Sequence, residues 1–313
     1  MEEEIIISGR MNPMVDPTLN LWGWEIAFYL FTGGLAAGVL FFASFYYLKG
    51  KENEYPAAIK WAPMIAPIAL ALGLVALFLD LHHKLYFWRL YTSIRLESPM
   101  SWGAWTLMVI TPLSILWCAT YIREAFPKWD WKFEWLKNAE VYFIKHRRVL
   151  AWIMVFYSVI LGIYTGILLS AFNARPLWNT SILGPLFLAS GLSAGAAMIM
   201  LISKNELERK LFSQIDLVII GIELFFIIHM FMGLMASTEM QIEAAQMFLG
   251  GQYTLPFWIF VVFIGMIVPA ILELLELRGQ KIPVIIPVGL ILFGSLTLRF
   301  IIVYAGQASR YLY

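Results

Sequence analysis

Long runs of apolar residues are the feature that most restricts the possible folds of this protein. An α-helix needs about 20 apolar residues to cross the hydrocarbon core of a bilayer. Eight such runs occur, at residues 22–47, 61–82, 105–122, 150–172, 182–203, 217–235, 257–277 and 284–304. Of the 313 residues, 61% are apolar and only 14% are charged, which is far from the balance of a soluble domain. We therefore predict an all-α integral membrane protein with eight transmembrane helices.

Two short segments resemble each other and bear on the domain organisation. FTGGLAAG at 31–38 and LASGLSAG at 188–195 carry glycines at matching offsets, Gly34 and Gly38 in one and Gly191 and Gly195 in the other. This similarity fits a duplicated four-helix unit, but Gly-x-x-x-Gly also recurs in membrane helices because it permits close packing. We predict two four-helix bundles, residues 22–172 and 173–313. Residues 1–21 lack the basic flank of a signal peptide and are predicted to form an outer N-terminal segment.

The distribution of basic residues predicts the orientation in the membrane. Most lysines and arginines fall in the first, third, fifth and seventh loops, whereas both tails and the other loops hold few of them. Loops rich in lysine and arginine stay in the cytoplasm. We therefore expect a multi-pass protein of the cytoplasmic (inner) membrane with both termini outside, in the periplasm of a Gram-negative cell.

The counts of cysteine and histidine restrict which redox centres the protein can hold. Cys118 is the only cysteine, whereas an iron–sulfur cluster normally takes about four thiolates. Of the four histidines, only His229 is well inside an apolar run, so a haem held by two histidines between helices is disfavoured. We expect no haem, no iron–sulfur cluster and no metal site in this chain.

Polar and aromatic residues gather at the predicted outer face in three stretches that carry a family resemblance. These are Trp22-Gly23-Trp24 leading into GGLAAG, the DL…FWRL…SPMSWGAW stretch from Asp80 to Trp105, and GIYTGILLSAFNARPLWNTSILGPLFLASGLSAGAA from Gly162 to Ala197. An ordinary aromatic belt explains the tryptophans but not Asp80. Together, over residues 20–200, the stretches resemble the polysulfide reductase membrane-subunit (NrfD-like) family.

The resemblance implies a quinone- or quinol-binding membrane anchor of a respiratory oxidoreductase complex, without a redox cofactor of its own. The quinone would be menaquinone or ubiquinone, as in anaerobic respiration. A ferredoxin-like iron–sulfur subunit and a catalytic subunit, possibly a molybdopterin enzyme, would dock on the outer face. Electrons would then enter from another chain, in agreement with the single cysteine.

Asp80 is the candidate catalytic residue. A quinone site needs hydrogen-bonding groups, an apolar trough and a group that exchanges protons, and the resemblance places an acidic residue at this position. An acid at membrane depth is costly without a partner or a task. The alternative is a solvated carboxylate or a salt bridge to Lys84, four residues on.

Further quinone-binding candidates come from the same stretches. Tyr164 matches the family's quinone-binding tyrosine, although tyrosine in a membrane helix is more often a packing residue. Tyr29 lies one turn from Glu25, and relatives can present histidine or asparagine along that face instead. The full set of candidates for binding the quinone is Tyr164, Tyr29, Glu25, Trp22, Trp88 and Arg89. Arg89 could instead contact the iron–sulfur subunit or simply mark the membrane edge.

Three ionisable residues lie deeper in apolar runs, namely Glu223, His229 and Arg299. An ionised group there needs a partner or water. They fit a proton path between the cytoplasm and an outer quinone site, or a buried structural ion pair. Glu273 and Glu276 are predicted to be solvated near the inner end of the seventh helix.

Two other functional classes are weighed against the anchor. A transporter, or a proton-conducting subunit without its own quinone site, fits the helix number and the glycines, but transporters show interrupted helices and a site at the midplane. A haem-binding cytochrome b-type anchor would need more membrane histidines. The expected partners are the lipid bilayer and the two extrinsic subunits, with no nucleic acid.

Overall fold

A computed structural model describes residues 22–310 of the protein. Eight helices in this range are long and apolar enough to cross a membrane, and we number them α1 to α8. They are α1 (Trp24–Leu48), α2 (Ala57–Asp80), α3 (Pro99–Ala119), α4 (Arg147–Ser170), α5 (Leu183–Ile202), α6 (Glu206–Met235), α7 (Pro256–Leu277) and α8 (Ile285–Ala308). Shorter helices at Arg89–Thr92, Ile122–Ala125, Glu134–Lys145 and Glu239–Gln246 lie in the connections, and residues 22–310 contain no strand. The all-helical prediction with eight spans is confirmed.

The helix ends differ from the predicted runs where helices continue past the apolar sequence. α6 begins at Glu206, ahead of the predicted start at 217, because Asn205 caps the helix and its side-chain oxygen accepts a hydrogen bond from Leu207 N at 3.0 Å. α3 begins at Pro99, ahead of the predicted 105, and proline is well suited to the first turn of a helix. Apolar periodicity alone cannot find such polar first turns.

Three segments of the spans depart from α-helical winding, and one of them, Ala62–Ile65 in α2, is a 3-10 helix. Residues Ala57–Trp61 at the start of α2 and Pro256–Ile267 in the first half of α7 are wound as π-helix. Such segments are rare and change the direction in which the following side chains point. In α7 the wide turn precedes Glu273.

Successive spans run in opposite directions, so each connection lies on a defined side. We call the side where α1 begins the Trp22 side and the side where it ends the Lys49 side. The loop 81–98 and the segments 171–182 and 236–255 lie on the Trp22 side, with the end of α8. The loop 120–146, which contains the helix Glu134–Lys145, lies on the Lys49 side.

The two glycine segments that resemble each other meet at the centre of the molecule. α1 packs against α2, α4 and α5, and α5 in turn packs against α4, α6 and α8. Where α1 crosses α5, a Cβ on Gly38 would lie 2.0 Å from the backbone oxygen of Gly191, and one on Gly195 would lie 2.5 Å from the carbonyl carbon of Gly38. Only glycine permits this approach. The division into two four-helix units stays a prediction.

Candidate functional site

A cavity of about 420 Å³ opens on the Trp22 side, among the ends of α1 to α4. Its walls are almost entirely apolar and come from the four helices and the loop 81–98. The lining residues are Trp22, Ile26, Tyr29, Leu74, Val75, Leu77, Phe78, Asp80, Leu81, Phe87, Leu90, Tyr91, Met100, Ala104, Leu107, Tyr164 and Leu168. A mostly apolar concavity with a few convergent polar groups is the usual form of a small-molecule site. Here the polar groups are one carboxylate and three tyrosine hydroxyls.

Two buried tyrosines reach the cavity from facing helices. Tyr29 of α1 is 2% exposed and Tyr164 of α4 is 8% exposed. Within residues 22–310 neither hydroxyl makes a hydrogen bond, although the two groups interact electrostatically. Buried hydroxyls are normally hydrogen-bonded. These two are therefore available to a ligand in the cavity.

The position of Tyr164 depends on a glycine in the facing helix. Its ring lies against Gly103 of α3, where an added Cβ would be 1.8 Å from Tyr164 Cζ and 2.0 Å from its Oη. Real Cβ atoms do not approach so closely, so any larger residue at 103 must displace the ring. Gly103 thus helps to set where the hydroxyl stands.

Asp80 is the last residue of α2 and lines the cavity half-buried. It makes no salt bridge to Lys84 within residues 22–310, in contrast to the alternative considered from the sequence. Its electrostatic neighbours are Glu25 and His82. A carboxylate without a salt bridge at the edge of an apolar cavity is free to bind or release a proton.

The other predicted quinone ligands are placed unevenly. Trp22 lines the cavity and is fixed to α8 through its backbone. Its backbone N–H donates to Gln307 Oε1 at 2.8 Å, and its backbone carbonyl accepts from Gln307 Nε2 at 2.9 Å. Glu25 lies near Asp80 but does not line the cavity, and its carboxylate folds back over Gly23. Two of the six candidates, Trp88 and Arg89, also lie outside the lining.

Arg89 contributes to a second, more open groove next to the cavity. Its guanidinium lies 4.7 Å from the centre of the Tyr86 ring and 5.7 Å from that of Trp88. The groove has a volume of about 500 Å³ and is also lined by His82, His83 and Arg95. It therefore presents several basic side chains on the Trp22 side of the protein.

Tyr91 is a cavity residue that the sequence analysis missed. It lies in the loop 81–98, lines the cavity and interacts electrostatically with Tyr29. Burial raises the pKa of the Tyr91 hydroxyl above its ordinary value, so the group stays a hydrogen-bond donor at neutral pH. The only signal in the sequence was its position two residues after Arg89 in FWRLYTS, which does not tell which way a loop side chain points.

A second polar site lies in the membrane interior between α1, α5 and α8. Arg299 is fully buried, and its Nε donates to Leu30 O at 3.1 Å. Its Nη1 donates to Ser190 Oγ at 2.9 Å and to Ser295 Oγ at 2.7 Å. The guanidinium fits because α1 has glycine at 34, where a Cβ would lie 2.8 Å from Arg299 Nη2. Arg299 is thus a built part of the core.

Carboxylates continue from Arg299 toward the Lys49 side. Glu223 of α6 is 3% exposed and interacts electrostatically with Arg299 and with Asp216. Asp216 in turn neighbours Ser193 and Glu273. The oxygens of Asp216 and Glu273, together with Glu223 Oε1, receive no hydrogen bond of normal geometry within residues 22–310. Unpartnered buried oxygens of this kind are costly in a membrane.

The structure corrects two expectations about this region. Glu273 and Glu276 were predicted to be solvated, but Glu273 is fully buried and Glu276 is only 9% exposed, with Arg209 Nε donating to Glu276 Oε1 at 2.9 Å. The prediction was wrong because these glutamates face α6 and not the surface. His229 is exposed on α6 and stacks on Phe225, so it does not join Glu223 and Arg299.

Within residues 22–310, no three residues of the His, Cys, Asp and Glu types are arranged to hold a metal ion. Cys118 has a free thiol, and its Sγ donates to Pro63 O at 3.4 Å. The described part of the protein therefore offers side chains for proton exchange and hydrogen bonding, and no cluster of metal ligands.

Comparison with known proteins places this architecture among membrane subunits of redox complexes. The family model "Polysulphide reductase, NrfD" matches residues 13–309. Protein NrfD of Escherichia coli is 31% identical over 306 residues, covering 92% of this chain and 96% of that protein. The C subunit of polysulfide reductase from Wolinella succinogenes is 32% identical over 302 residues, covering 92% and 94%. The Hdr-like menaquinol oxidoreductase integral membrane subunit of Archaeoglobus fulgidus is 23% identical over 304 residues, covering 91% and 71%. The chain belongs to the NrfD polysulphide reductase family.

Proposed function

We propose that this protein is the quinone- or quinol-binding membrane subunit of a respiratory oxidoreductase complex. The observation that carries the proposal is the apolar cavity into which Asp80, Tyr29 and Tyr164 converge without partners of their own. The names of two relatives add support, because they denote subunits of a polysulfide reductase and a menaquinol oxidoreductase.

The cavity residues fit a flat ring that carries two carbonyl oxygens. The hydroxyls of Tyr29, Tyr164 and Tyr91 would donate hydrogen bonds to those oxygens, and Gly103 leaves room beside Tyr164. A quinone supplies two-electron chemistry coupled to two protons, so its site needs a group that exchanges protons at the ring. Asp80 takes that role in this proposal, since it lines the cavity and forms no salt bridge within residues 22–310.

The isoprenoid tail would leave the cavity between α2 and α3. Val75 and Phe78 line the cavity and are also 55% and 42% exposed on the lipid-facing surface of α2. Each of these side chains contacts the cavity on one side and lipid on the other, so no further layer of protein lies between the two. The cavity can therefore open sideways into the bilayer at this position. The ligand would thus enter from the bilayer without crossing water.

Electrons must enter from another polypeptide under this proposal. The loop 81–98 presents exposed apolar side chains at Leu85, Leu90 and Leu96 beside the basic groove of Arg89 and Arg95. A surface of this kind suits an extrinsic subunit on the Trp22 side. We assign to it a ferredoxin-like iron–sulfur subunit, which would link a catalytic subunit to the quinone. The Trp22 side would then face outward across the cytoplasmic membrane, with both termini outside.

The test compares Asp80→Asn with Asp130→Asn in the assembled complex. Asp80→Asn keeps the side-chain volume and removes the titratable group, so quinone-linked turnover should fall by roughly 10²-fold or more. Turnover with a soluble dye that bypasses the quinone should persist. Asp130 lies in the loop 120–146, on the other side of the protein, and forms a salt bridge with Lys137, so Asp130→Asn should leave both activities unchanged. Normal quinone turnover in an assembled Asp80→Asn complex would contradict the role of Asp80.

A second candidate activity, proton conduction, is favoured by the buried carboxylates on α6 and α7. Arg299, Glu223, Asp216 and Glu273 are linked pairwise and reach Glu276 near the Lys49 side. Arg299 also binds Leu30 O, one residue from Tyr29 in the cavity. A proton could therefore pass between Glu223 and Glu276 by steps between neighbouring carboxyl groups, while Arg299 keeps its charge. The alternative stays a structural ion pair between Glu223 and Arg299.

Proteoliposomes containing the complex distinguish the two roles of Glu223. Glu223→Gln keeps the shape and a hydrogen-bonding group, so a conduction role predicts loss of quinone-driven internal pH change while turnover in detergent remains. A structural role predicts the opposite pattern, with lower thermal stability and an unchanged ratio of protons to electrons. The variant Glu134→Gln, altered on the surface helix, serves as the control.

A further inference from the structure

The loop 120–146 contains a folded arm, residues 122–146, that the proposed quinone chemistry does not use. The arm starts at the helix Ile122–Ala125, directly after α3, and ends with the helix Glu134–Lys145, directly before α4. Because both of its ends are joined to spans, the arm is held at the level of the membrane boundary on the Lys49 side. Its outer surface therefore lies close to the lipid headgroups of that leaflet.

An internal cluster centred on Glu140 holds the arm in a defined shape. Glu140 is 5% exposed and accepts two hydrogen bonds of 2.9 Å from Arg123 Nε, one at each oxygen. Trp131 Nε1 donates to Glu140 Oε2 at 3.1 Å. Glu140 thus joins the start of the arm, at Arg123, and the segment at Trp131 to the helix Glu134–Lys145. The arm therefore presents its outer side chains in fixed directions.

Large aromatic side chains project from the arm and contact only neighbouring rings of the arm in the described structure, Phe133 with Trp135 and Tyr142 with Phe143 and His146. Phe133 is 59% exposed, Trp135 is 66% exposed and Tyr142 is 58% exposed. Trp135 and Tyr142 are two turns apart on the same side of the helix Glu134–Lys145, and Phe143, about 100° around the helix from Tyr142, packs against the core. Tryptophan and tyrosine concentrate where membrane meets water. Exposed apolar side chains follow in the chain at Val149 and Trp152, in the first turns of α4.

The arm also carries cations that no carboxylate of the protein neutralises. Three of its four acidic residues are already engaged, Glu124 by Lys60, Asp130 by Lys137 and Glu140 by Arg123. Within residues 22–310, Lys128, Lys132 and Lys145 form no ion pair. Aromatic residues that insert, accompanied by free lysines, are the pattern of helices that lie on anionic membranes.

We propose that the arm lies in the headgroup region of the leaflet on the Lys49 side, with Trp135 and Tyr142 inserted and with Lys128, Lys132 and Lys145 bound to anionic phospholipid. The unpaired lysines, together with exposed apolar side chains on the arm and at Val149 and Trp152 of α4, favour anionic lipid over a soluble protein as the occupant. The arm would then anchor the α3–α4 connection to the leaflet. This inference does not depend on the quinone site.

Depth measurements test the insertion. Because Cys118 is the only cysteine, Cys118→Ala gives a background in which a nitroxide can be placed at Trp135→Cys, Tyr142→Cys or Glu134→Cys. Glu134 lies about 100° around the helix from Trp135. In nanodiscs, labels at 135 and 142 should collide more with oxygen than with a water-soluble nickel complex, and the label at 134 should show the reverse. Greater nickel access at both 135 and 142 would overturn the proposal in favour of a water-exposed docking surface.

A lipid titration followed by native mass spectrometry tests the charge recognition. Replacing Lys128, Lys132 and Lys145 by glutamine should lower the apparent affinity for phosphatidylglycerol by about tenfold or more, with little change for phosphatidylcholine. The matched control replaces Lys204, Lys210 and Lys281, which lie outside the arm at the same side. An equal loss in both variants, or no loss in the arm variant, would overturn the assignment to the arm.

Discussion

The cavity near Asp80 and the buried cluster around Arg299 treat polar groups in opposite ways. In the cavity, Tyr29 and Tyr164 keep their hydroxyls unpartnered and the walls are apolar. Around Arg299, the guanidinium donates to the backbone and to two serines, and no space is left beside Gly34. The comparison teaches that the depth of a polar residue in the membrane does not identify a binding site. Buried hydrogen-bond donors that have no partner and that face a cavity do identify one.

The largest expected effect concerns Arg299, whose guanidinium is hydrogen-bonded in the protein interior. Arg299→Met removes the buried cation and leaves Glu223 facing Asp216 without compensation, which should cost about 3–5 kcal/mol of stability. Thermal unfolding of the purified protein in detergent measures it. The double variant Arg299→Met with Glu223→Gln should recover part of the loss, because it removes the charge that Arg299 offsets. If Arg299→Met unfolds like the native protein, the cluster is solvated and the contrast with the cavity fails.

An intermediate effect concerns the cavity near Asp80 and the position of Tyr164 in it. Gly103→Ala adds a Cβ where the Tyr164 ring now lies and must displace the ring. A displacement of about 1 Å is enough to lower quinone-linked turnover by roughly 10²-fold, while the protein should still assemble and dye-linked turnover should persist. Gly289→Ala is the matched control, since nothing lies within 4 Å of a Cβ at that position. Equal turnover in the two variants would show that the Tyr164 position does not matter.

The smallest effect sharpens the assignment of Asp80. Lys84 forms no salt bridge within residues 22–310 and lies in the exposed loop 81–98. Lys84→Gln should therefore change stability by less than about 0.5 kcal/mol and leave quinone-linked turnover unchanged. Measured beside Asp80→Asn, it separates a cavity acid from a surface pair. A loss of turnover as large as that of Asp80→Asn would mean that the two residues act together.

The architecture was largely predictable from the sequence because membrane spans need long apolar runs. The eight spans and the grouping of Asp80, Tyr29, Tyr164 and Trp22 at one cavity followed from run length, from helix direction and from the family motifs. Those motifs place residues at helix ends on one side, and helices that pack together there must bring them close. Whether the cavity residues act on a quinone stays a prediction.

What could not be predicted depends on rotation about each helix axis and on loop conformation. Glu273 looked like a helix-end carboxylate, but the π-helical turn in α7 precedes it and it faces α6 in the interior. His229 lay in an apolar run and points outward. Tyr91 lies in the one-turn helix Arg89–Thr92 of the loop 81–98, which is too short to show a periodic pattern. In each case, the environment of the side chain depends on how the surrounding helices and connections pack, and a single sequence does not give that packing.

The glycine crossing of α1 and α5 has a consequence for how this protein can move. At Gly38 and Gly191 the two backbones touch with no side chain between them, and Gly195 repeats the contact one turn further on. Domains that rock against each other need an interface of side chains that can slide or exchange partners. Backbone in contact with backbone offers neither option. The helices on both sides of this crossing should therefore move as one solid body, and any coupling between the cavity and the Lys49 side has to be carried by protons and side-chain rotations inside a frame that does not open.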